Sequence, residues 1–358
     1  MSAAKVFIFA PSDPSGESHR KLEDAGCEVA LGKASWHTPQ GDREDEIVSF
    51  ARDCDAMCGT SIRSTPITRR IMEGADKLRI VGKYTIGCDD VDVEAATQMG
   101  IMVTHSPTES NWGGVAEGMM ANMLCLLKKL RERDTHLKSR GEWRLEELTG
   151  TYVGSRASDG YKGLTIGLIG LGRHGGRVAQ LLRPWRVRLL AYDPYIPPAR
   201  FLEHDAEPVD LPTLLSQSDV VSMHCYLSKE TRHMMGEAQF KLMKPTAIFL
   251  NQARGPIVDE KALAVALQEN RIAGAALDVF EVEPLPMDSP LRKLGDKVLL
   301  SPHMISSNVG SGLKPGVVWT TDSVLKALRG EVPNNVFNPE VIPAWQQRFG
   351  GKSLILAG

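Results

Sequence analysis

Three ionisable residues stand at the ends of predicted strands in the second half of the chain: Arg254 in NQARGPIVDEKAL, Glu283 in LDVFEVEP and His303 in LLSPHM. An arginine is always charged and can hold a carboxylate through two parallel hydrogen bonds while polarising a neighbouring carbonyl. A histidine titrates near neutrality, so it can give a proton to a carbonyl oxygen during reduction and take it back in the reverse direction. A carboxylate beside that histidine fixes its tautomer and favours its charged form. Singly, each has a plainer reading: Arg254 as a surface ion pair, Glu283 as a loop charge, His303 as a satisfied histidine beside a proline. Together they suit hydride and proton exchange at a carbonyl next to a carboxylate, if a hydride carrier is held nearby.

A place for that carrier lies upstream, between Tyr161 and Asp193. A short apolar run, Leu164 to Ile169, has the length and β-branched content of a buried parallel strand. Gly170, Gly172 and Gly175 then spell G-x-G-x-x-G, a helical run follows, and a second strand, Val187 to Tyr192, ends at Asp193. The first glycine permits a tight turn, the second lets the backbone approach a pyrophosphate, and the third lets helix and strand pack closely. The helix start offers unpaired N–H groups and a positive dipole end to phosphates. Asp193 would accept hydrogen bonds from ribose hydroxyls, and its charge disfavours a 2′-phosphate, so NAD is expected over NADP. A lone glycine-rich turn is weak evidence. Strand, helix and acid in their places make it strong.

The elements that must position these groups alternate between strand and helix, the mark of doubly wound α/β folding. Before the glycine loop, strands are expected at 5–10, 27–31, 56–59, 78–82 and 101–104, with helices at 18–25, 44–51 and 66–73 between them. After it, strands at 219–224, 247–251, 274–277 and 297–300 give a second sheet of at least six. One further helix, 317–328, is expected to return to the first domain, and the tail beyond it carries no assignable element. The 358 residues suit two domains, and 42% hydrophobic with 24% charged content is that of an ordinary soluble globular chain. A formal net charge of −2 implies no basic face, so nucleic acid is not an expected partner. No apolar run is long enough to span a membrane, and the N-terminus reads as a first strand, not a signal peptide. Six scattered cysteines without C-x-x-C point to reduced, mostly buried thiols in a cytoplasmic protein, with no metal site.

Two further segments draw attention. KYTIGCDDVDVEAA (83–96) follows a strand's carboxyl end, where open α/β sheets bind ligands. Main-chain N–H groups at Ile86, Gly87 and Cys88 are candidates to cradle a carboxylate, and Asp89, Asp90 and Asp92 to cap the helix that follows. The plainer reading of these acids is a solvated cap. Trp112-Gly113-Gly114 precedes a long helix, expected over 115–140, whose first half is apolar nearly all round and should be buried. Its methionines read as core. The polar segment 141–160 suits a dimer arm or a surface loop.

These blocks resemble the D-isomer-specific 2-hydroxyacid dehydrogenase family, which includes phosphoglycerate, glycerate, formate and D-lactate dehydrogenases. The likeness covers nearly the whole chain and is most specific in GLTIGLIGLGRHGGRVAQLL, FKLMKPTAIFLNQARGPIVDEKALAVAL and AALDVFEVEP followed by SPH. It implies two Rossmann-like domains, with an NAD-binding domain (111–309) inserted into a discontinuous substrate domain (1–110 and 310–358), and a homodimer formed through the cofactor domains. It makes Arg254, Glu283 and His303 the catalytic set, with Arg254 also binding substrate. Gly170, Gly172, Arg173, His174, Gly175, Asp193, Ala253 and Asp278 are then expected to face the cofactor, Asp278 at the nicotinamide carboxamide. Lys83, Tyr84 and Gly87 are expected in the substrate loop.

The departures bear on the substrate. Met304, Ile305, Ser306, Ser307 and Asn308 stand where the family often has small residues, and Tyr226 replaces a frequent proline. Lys83, Tyr84 and Thr85 replace smaller residues, so a pocket unlike that of common glyoxylate reductases is expected, with Lys83 or Tyr84 reading a second polar group. Glu283 disfavours formate dehydrogenase, whose branch resembles this one but carries glutamine there. The reading is an NAD-dependent reductase of 2-oxo acids or dehydrogenase of D-2-hydroxy acids. The alternatives are an NAD-sensing protein like the corepressors of this fold, and an enzyme acting on a sugar acid.

Overall fold

The computed structural model describes residues 3–34, 43–61, 65–140, 143–309 and 312–355. The chain forms two compact units, Met1–Asn111 with Val309–Gly358, and Trp112–Asn308. Each is a parallel sheet with helices on both faces.

Unit 1 holds β1 (Ala4–Ala10), β2 (Cys27–Leu31), β3 (Ala56–Gly59), β4 (Ile80–Lys83) and β5 (Met102–Thr104), in the order β2-β1-β3-β4-β5. All pairings are parallel. Side chains alternate across such a sheet. Phe7 and Phe9 accordingly join Met57 and Val81 in one core layer, while Val6 and Ile8 join Cys58, Ile80 and Met102 in the other. The second layer is closed by Val317, Val324 and Leu328 of the helix Lys314–Leu328, and by Trp345. Trp345 belongs to a helix, Ile342–Phe349, in the tail where the sequence offers no assignable pattern; residues 356–358 of that tail lie outside the described residues.

Unit 2 holds β6 (Thr165–Ile169), β7 (Arg188–Tyr192), β8 (Glu207–Pro208), β9 (Val220–Met223), β10 (Ile248–Asn251), β11 (Gly274–Leu277) and β12 (Val298–Leu300). Their order is β12-β11-β10-β9-β6-β7-β8, seven strands. The two-residue β8 adds to the strands expected from sequence; it is too short and exposed to show a pattern. Register aligns Tyr192, Ile169, Met223, Asn251, Leu277 and Leu300 across the sheet. The next residue of each strand therefore falls in one row along the carboxyl edge: Asp193, Gly170, His224, Gln252, Asp278 and Ser301.

Three expectations need correcting. The long helix breaks at Lys128–Lys129, where Lys129 has φ 51°, into Glu109–Leu127 and Leu130–Arg140. Its buried methionines, Met119, Met120 and Met123, pack within unit 2 against Ile166 and Leu168. Pro66 does not open a helix: Ile67 makes a bridge to Val91, and the helix begins at Arg69. Asp92 is the residue that caps the helix, accepting from Ala95 N at 2.9 Å, while Asp90 is drawn inward by Lys83. Residues 141 and 142 of the polar segment 141–160 lie outside the described residues. All six cysteines are free thiols. Among the described residues no helix is long and apolar enough to cross a membrane, and no histidine, cysteine and acid cluster could hold a metal.

Candidate active site

The glycine loop has the geometry its spacing requires. Gly170 has φ +98°, a left-handed conformation that side chains rarely adopt, and a Cβ there would lie 2.8 Å from the backbone of His224 and Cys225. A Cβ on Gly175 would meet the carbonyl oxygen of Gly170 at 2.1 Å, so that position sets how closely helix Arg173–Leu182 approaches β6. At Gly172 a Cβ would meet nothing within 4 Å, which leaves open space for a ligand's phosphates. No side chain caps the helix start at Gly172, as a phosphate-binding terminus requires. Asp193 is aimed by two main-chain donors, Leu171 N at 2.9 Å and Tyr195 N at 3.1 Å. Arg200, which the sequence alone does not single out, braces the loop by donating to the carbonyls of Leu171 and Gly172, both at 3.3 Å. The cradle fits a dinucleotide.

Two histidines line this edge. Burial, then the Arg254 and Arg173 charges, pull His174 down to about 4, and burial pulls His224 to about 3. Both are neutral imidazoles at physiological pH. Neither carries the extra proton of an imidazolium there.

Two of the three chemistry-bearing residues, His303 and Glu283, meet in unit 2. His303 Nδ1 lies 2.9 Å from Glu283 Oε2. Glu283 is itself held, since its Oε1 accepts from Phe280 N at 3.0 Å. His303 has φ 55°, unusual for a residue with a Cβ, and the surrounding bonds keep it there. Its own N–H donates to Ser301 O at 3.0 Å, and the next two N–H groups, Met304 and Ile305, donate to the Asp278 carboxylate at 2.9 and 3.2 Å. Burial raises the pKa of Asp278, with the bonds from Ser301, Met304 and Ile305 and the nearby His303 opposing it. Asp278, expected to face the nicotinamide, thus also fixes the turn that carries His303. From the other side, helix Glu109–Leu127 presses on this turn through small residues: a Cβ on Gly118 would lie 2.0 Å from Ile305 Cγ1, and one on Gly114 2.5 Å from Asn308 Nδ2. That close approach accounts for the glycines at 114 and 118.

Arg254 sits on a turn tied to the Glu283 loop. Asn251 Nδ2 donates to Arg254 O at 3.0 Å, and Arg254 Nη1 donates to Ala253 O at 2.6 Å. The backbone at Gly255 packs so tightly that a Cβ would fall 1.9 Å from the Phe280 carbonyl. Glu260 N donates to Glu281 Oε1 at 2.9 Å while Glu281 N donates to Glu260 Oε1 at 2.5 Å, lacing the two loops together. Sequence reasoning misses Asn251, Glu260 and Glu281. Asn251 carries a signal, a polar residue ending an otherwise apolar strand.

Lys83 and Tyr84 are placed otherwise than a substrate-reading role requires, and this corrects the expectation that their side chains meet a second polar group. Both are buried inside unit 1, at 0% and 2% exposure. Lys83 Nζ pairs with Asp90 Oδ2 at 2.7 Å, and the Tyr84 hydroxyl lies 3.6 Å from Cys58 Sγ. In the turn they begin, the carbonyls of Thr85, Ile86 and Gly87 are each engaged, by Ser106 N at 2.9 Å, His105 Nδ1 at 2.9 Å and Thr85 Oγ1 at 3.0 Å.

Comparison with known proteins identifies the family. The D-isomer specific 2-hydroxyacid dehydrogenase, NAD binding domain, matches residues 120–304. A glyoxylate reductase of Korarchaeum cryptofilum is 38% identical over 86% of this chain and 90% of its own length. A D-3-phosphoglycerate dehydrogenase of Methanocaldococcus jannaschii is 37% identical over 95% of this chain and 60% of its own. The structure of D-lactate dehydrogenase from Escherichia coli superposes with a TM-score of 0.72 at 28% identity, covering 93% of this chain and 99% of that one. The cofactor is NAD. The chain belongs to the D-isomer specific 2-hydroxyacid dehydrogenases and is an NAD-dependent oxidoreductase of 2-hydroxy acids.

Proposed function

We propose that the chain interconverts a small 2-oxo acid and its D-2-hydroxy acid, with His303 as acid/base and Arg254 as carboxylate clamp. The observation that carries this reading is the 2.9 Å contact of His303 Nδ1 with Glu283, in the unit that holds the dinucleotide cradle. With Nδ1 against the carboxylate, Nε2 is the atom assigned to exchange a proton with the substrate oxygen at C2. When bound, NAD gives or takes the hydride at C2. Arg254 grips the carboxylate and polarises the adjacent carbonyl, and main-chain N–H groups at Ile86, Gly87 and Cys88 are further candidates to take the carboxylate. Asp193 favours NADH over NADPH, and Asp278 supports the carboxamide end of the cofactor. The glyoxylate reductase and phosphoglycerate dehydrogenase relatives support small acids as substrates.

The test follows oxidation of NADH and, separately, NADPH with glyoxylate, hydroxypyruvate, phenylpyruvate, 2-oxoglutarate and sugar-derived acids. Turnover of NADH on at least one acid, with NADPH much poorer, is the expected result. Tight NADH binding with no turnover on any acid would favour an NAD-sensing protein. We also infer a homodimer through unit 2, supported by Leu130, Leu137 and Trp143, which are at least half exposed on and beside one helix.

Glu283→Gln tests the pairing itself. The amide can still accept from Nδ1–H, so the ring keeps its orientation, but the negative charge beside it is gone. Reduction draws its proton from this ring, so loss of the charge beside it is expected to lower kcat about tenfold, part of the ~10²–10⁴ that a whole acid/base residue supplies. A kcat for reduction equal to that of the wild type would refute the pairing.

A further inference from the structure

Unit 1 buries a complete charge pair at the base of one short turn. Lys83 ends β4 and is 0% exposed, and Asp90 is 8% exposed. The ammonium donates to Asp90 Oδ2 at 2.7 Å and to Thr60 O at 3.1 Å, and lies 5.2 Å from the centroid of the Phe9 ring. Taking both ions out of water is costly, and an apolar pair of similar volume is often as stable or more so. Stability alone therefore gives no reason for the pair. Its place in the chain does, because the two residues bracket Tyr84–Asp89.

Everything else around that turn also fixes it. Asp90 O accepts from Ile67 N at 2.7 Å, so the acid's own backbone is anchored to a neighbouring segment. Ser61 Oγ reaches Asp90 Oδ1 at 3.4 Å and Thr85 Oγ1 at 3.2 Å. On the opposite face of the sheet, Thr320 Oγ1 donates to Lys83 O at 2.9 Å, and a Cβ on Gly316 would lie 2.0 Å from Tyr84 O. With the carbonyls of Thr85, Ile86 and Gly87 engaged elsewhere, the turn has little freedom to rotate its peptide planes.

We propose that Lys83 and Asp90 are positioning residues, whose buried ion pair holds the turn Tyr84–Asp89 in the arrangement that binds the carboxylate of the substrate. This rests on the reading of Ile86–Cys88 as a carboxylate-binding turn. The pair touches no substrate. It exchanges two solvated charges for one fixed main-chain geometry, a use of buried ions best attested where they set register.

The test compares wild type with Asp90→Asn, Lys83→Met and the double variant Lys83→Met/Asp90→Leu. Single variants strand one buried charge or its partner and can fail to fold; the double variant replaces the pair by apolar groups and keeps the interior filled. The double variant is expected to melt within a few degrees of wild type and to bind NADH, followed by fluorescence, within twofold. Its KM for the best 2-oxo acid should rise at least tenfold with kcat changed less than threefold, and its affinity for oxamate in the NADH complex should fall likewise. A folded double variant with wild-type KM and oxamate affinity overturns the proposal. So does an equal loss of NADH affinity, which would mark general loosening. Wild type that turns over no acid counts against the proposed reaction alone, and the oxamate comparison still decides the role of the pair.

Discussion

His303→Ala is expected to lower kcat for reduction of the best 2-oxo acid by ~10²–10⁴, the range that a positioned acid/base supplies, with NADH affinity within a few-fold of wild type. The asymmetry follows from where the ring is held. Its support comes from Glu283, Ser301 and the Asp278-bound turn, and the dinucleotide cradle is built from other residues around Gly170, Gly172 and Asp193. Two other histidines lie on the edge of the same sheet. His174 and His224 are kept neutral by burial, at about 4 and about 3, so neither is an imidazolium near neutrality. Removal of the ring also takes the Nδ1 contact from Glu283 Oε2, while Glu283 Oε1 keeps the bond from Phe280 N. His303→Gln fills the space but cannot carry a mobile proton, and it should fall as far as alanine. Stopped-flow oxidation of NADH measures the chemical step free of product release. A loss below tenfold in both variants would remove His303 from the proton path and leave the cofactor assignment standing.

Much of this site is legible in the amino-acid sequence, for reasons that differ between residues. Gly170 and Gly175 are readable because backbone sterics leave no other residue type there: one needs a positive φ, the other has a carbonyl 2.1 Å from where a Cβ would be. The parallel strands are readable because burial on both faces makes them short, continuous apolar runs, as in Thr165–Ile169 and Ile248–Asn251. The two-residue β8 has no such run. Lys83 and Tyr84 mislead because polarity in a loop sequence suggests contact with ligand, whereas Lys83 ends a strand and points into the layer that contains Phe9. Which acid meets a buried ammonium seven residues away depends on the path of the turn, and spacing carries no trace of it. The Glu260–Glu281 exchange is similarly hidden, because each bond joins a carboxylate to a main-chain N–H 21 residues distant.

Arg254 offers the second large effect, and the choice of replacement separates charge from shape. Arg254→Met removes the clamp, and charged hydrogen bonds contribute ~1.5–3 kcal/mol each, so loss of two predicts a fall of about 10³ in kcat/KM. Arg254→Lys keeps the charge but replaces a rigid planar fork with a single ammonium on a flexible stem. It should recover only part of the loss, leaving kcat/KM about tenfold or more below wild type. The backbone of the turn should survive both changes, because it is set by Asn251 Nδ2 on Arg254 O and by the close packing of Gly255 on Phe280. An internal reporter can check this. Burial, then the Arg254 charge, hold His174 down at about 4, so removal of the guanidinium should let the His174 titration move upward, with burial still keeping it below the usual value. Arg254→Lys should leave it nearer the wild-type position. Full activity in Arg254→Lys would reduce the clamp to a point charge, and activity within tenfold of wild type in Arg254→Met would end the assignment. A His174 titration that did not move in Arg254→Met would mean that the guanidinium lies elsewhere in solution.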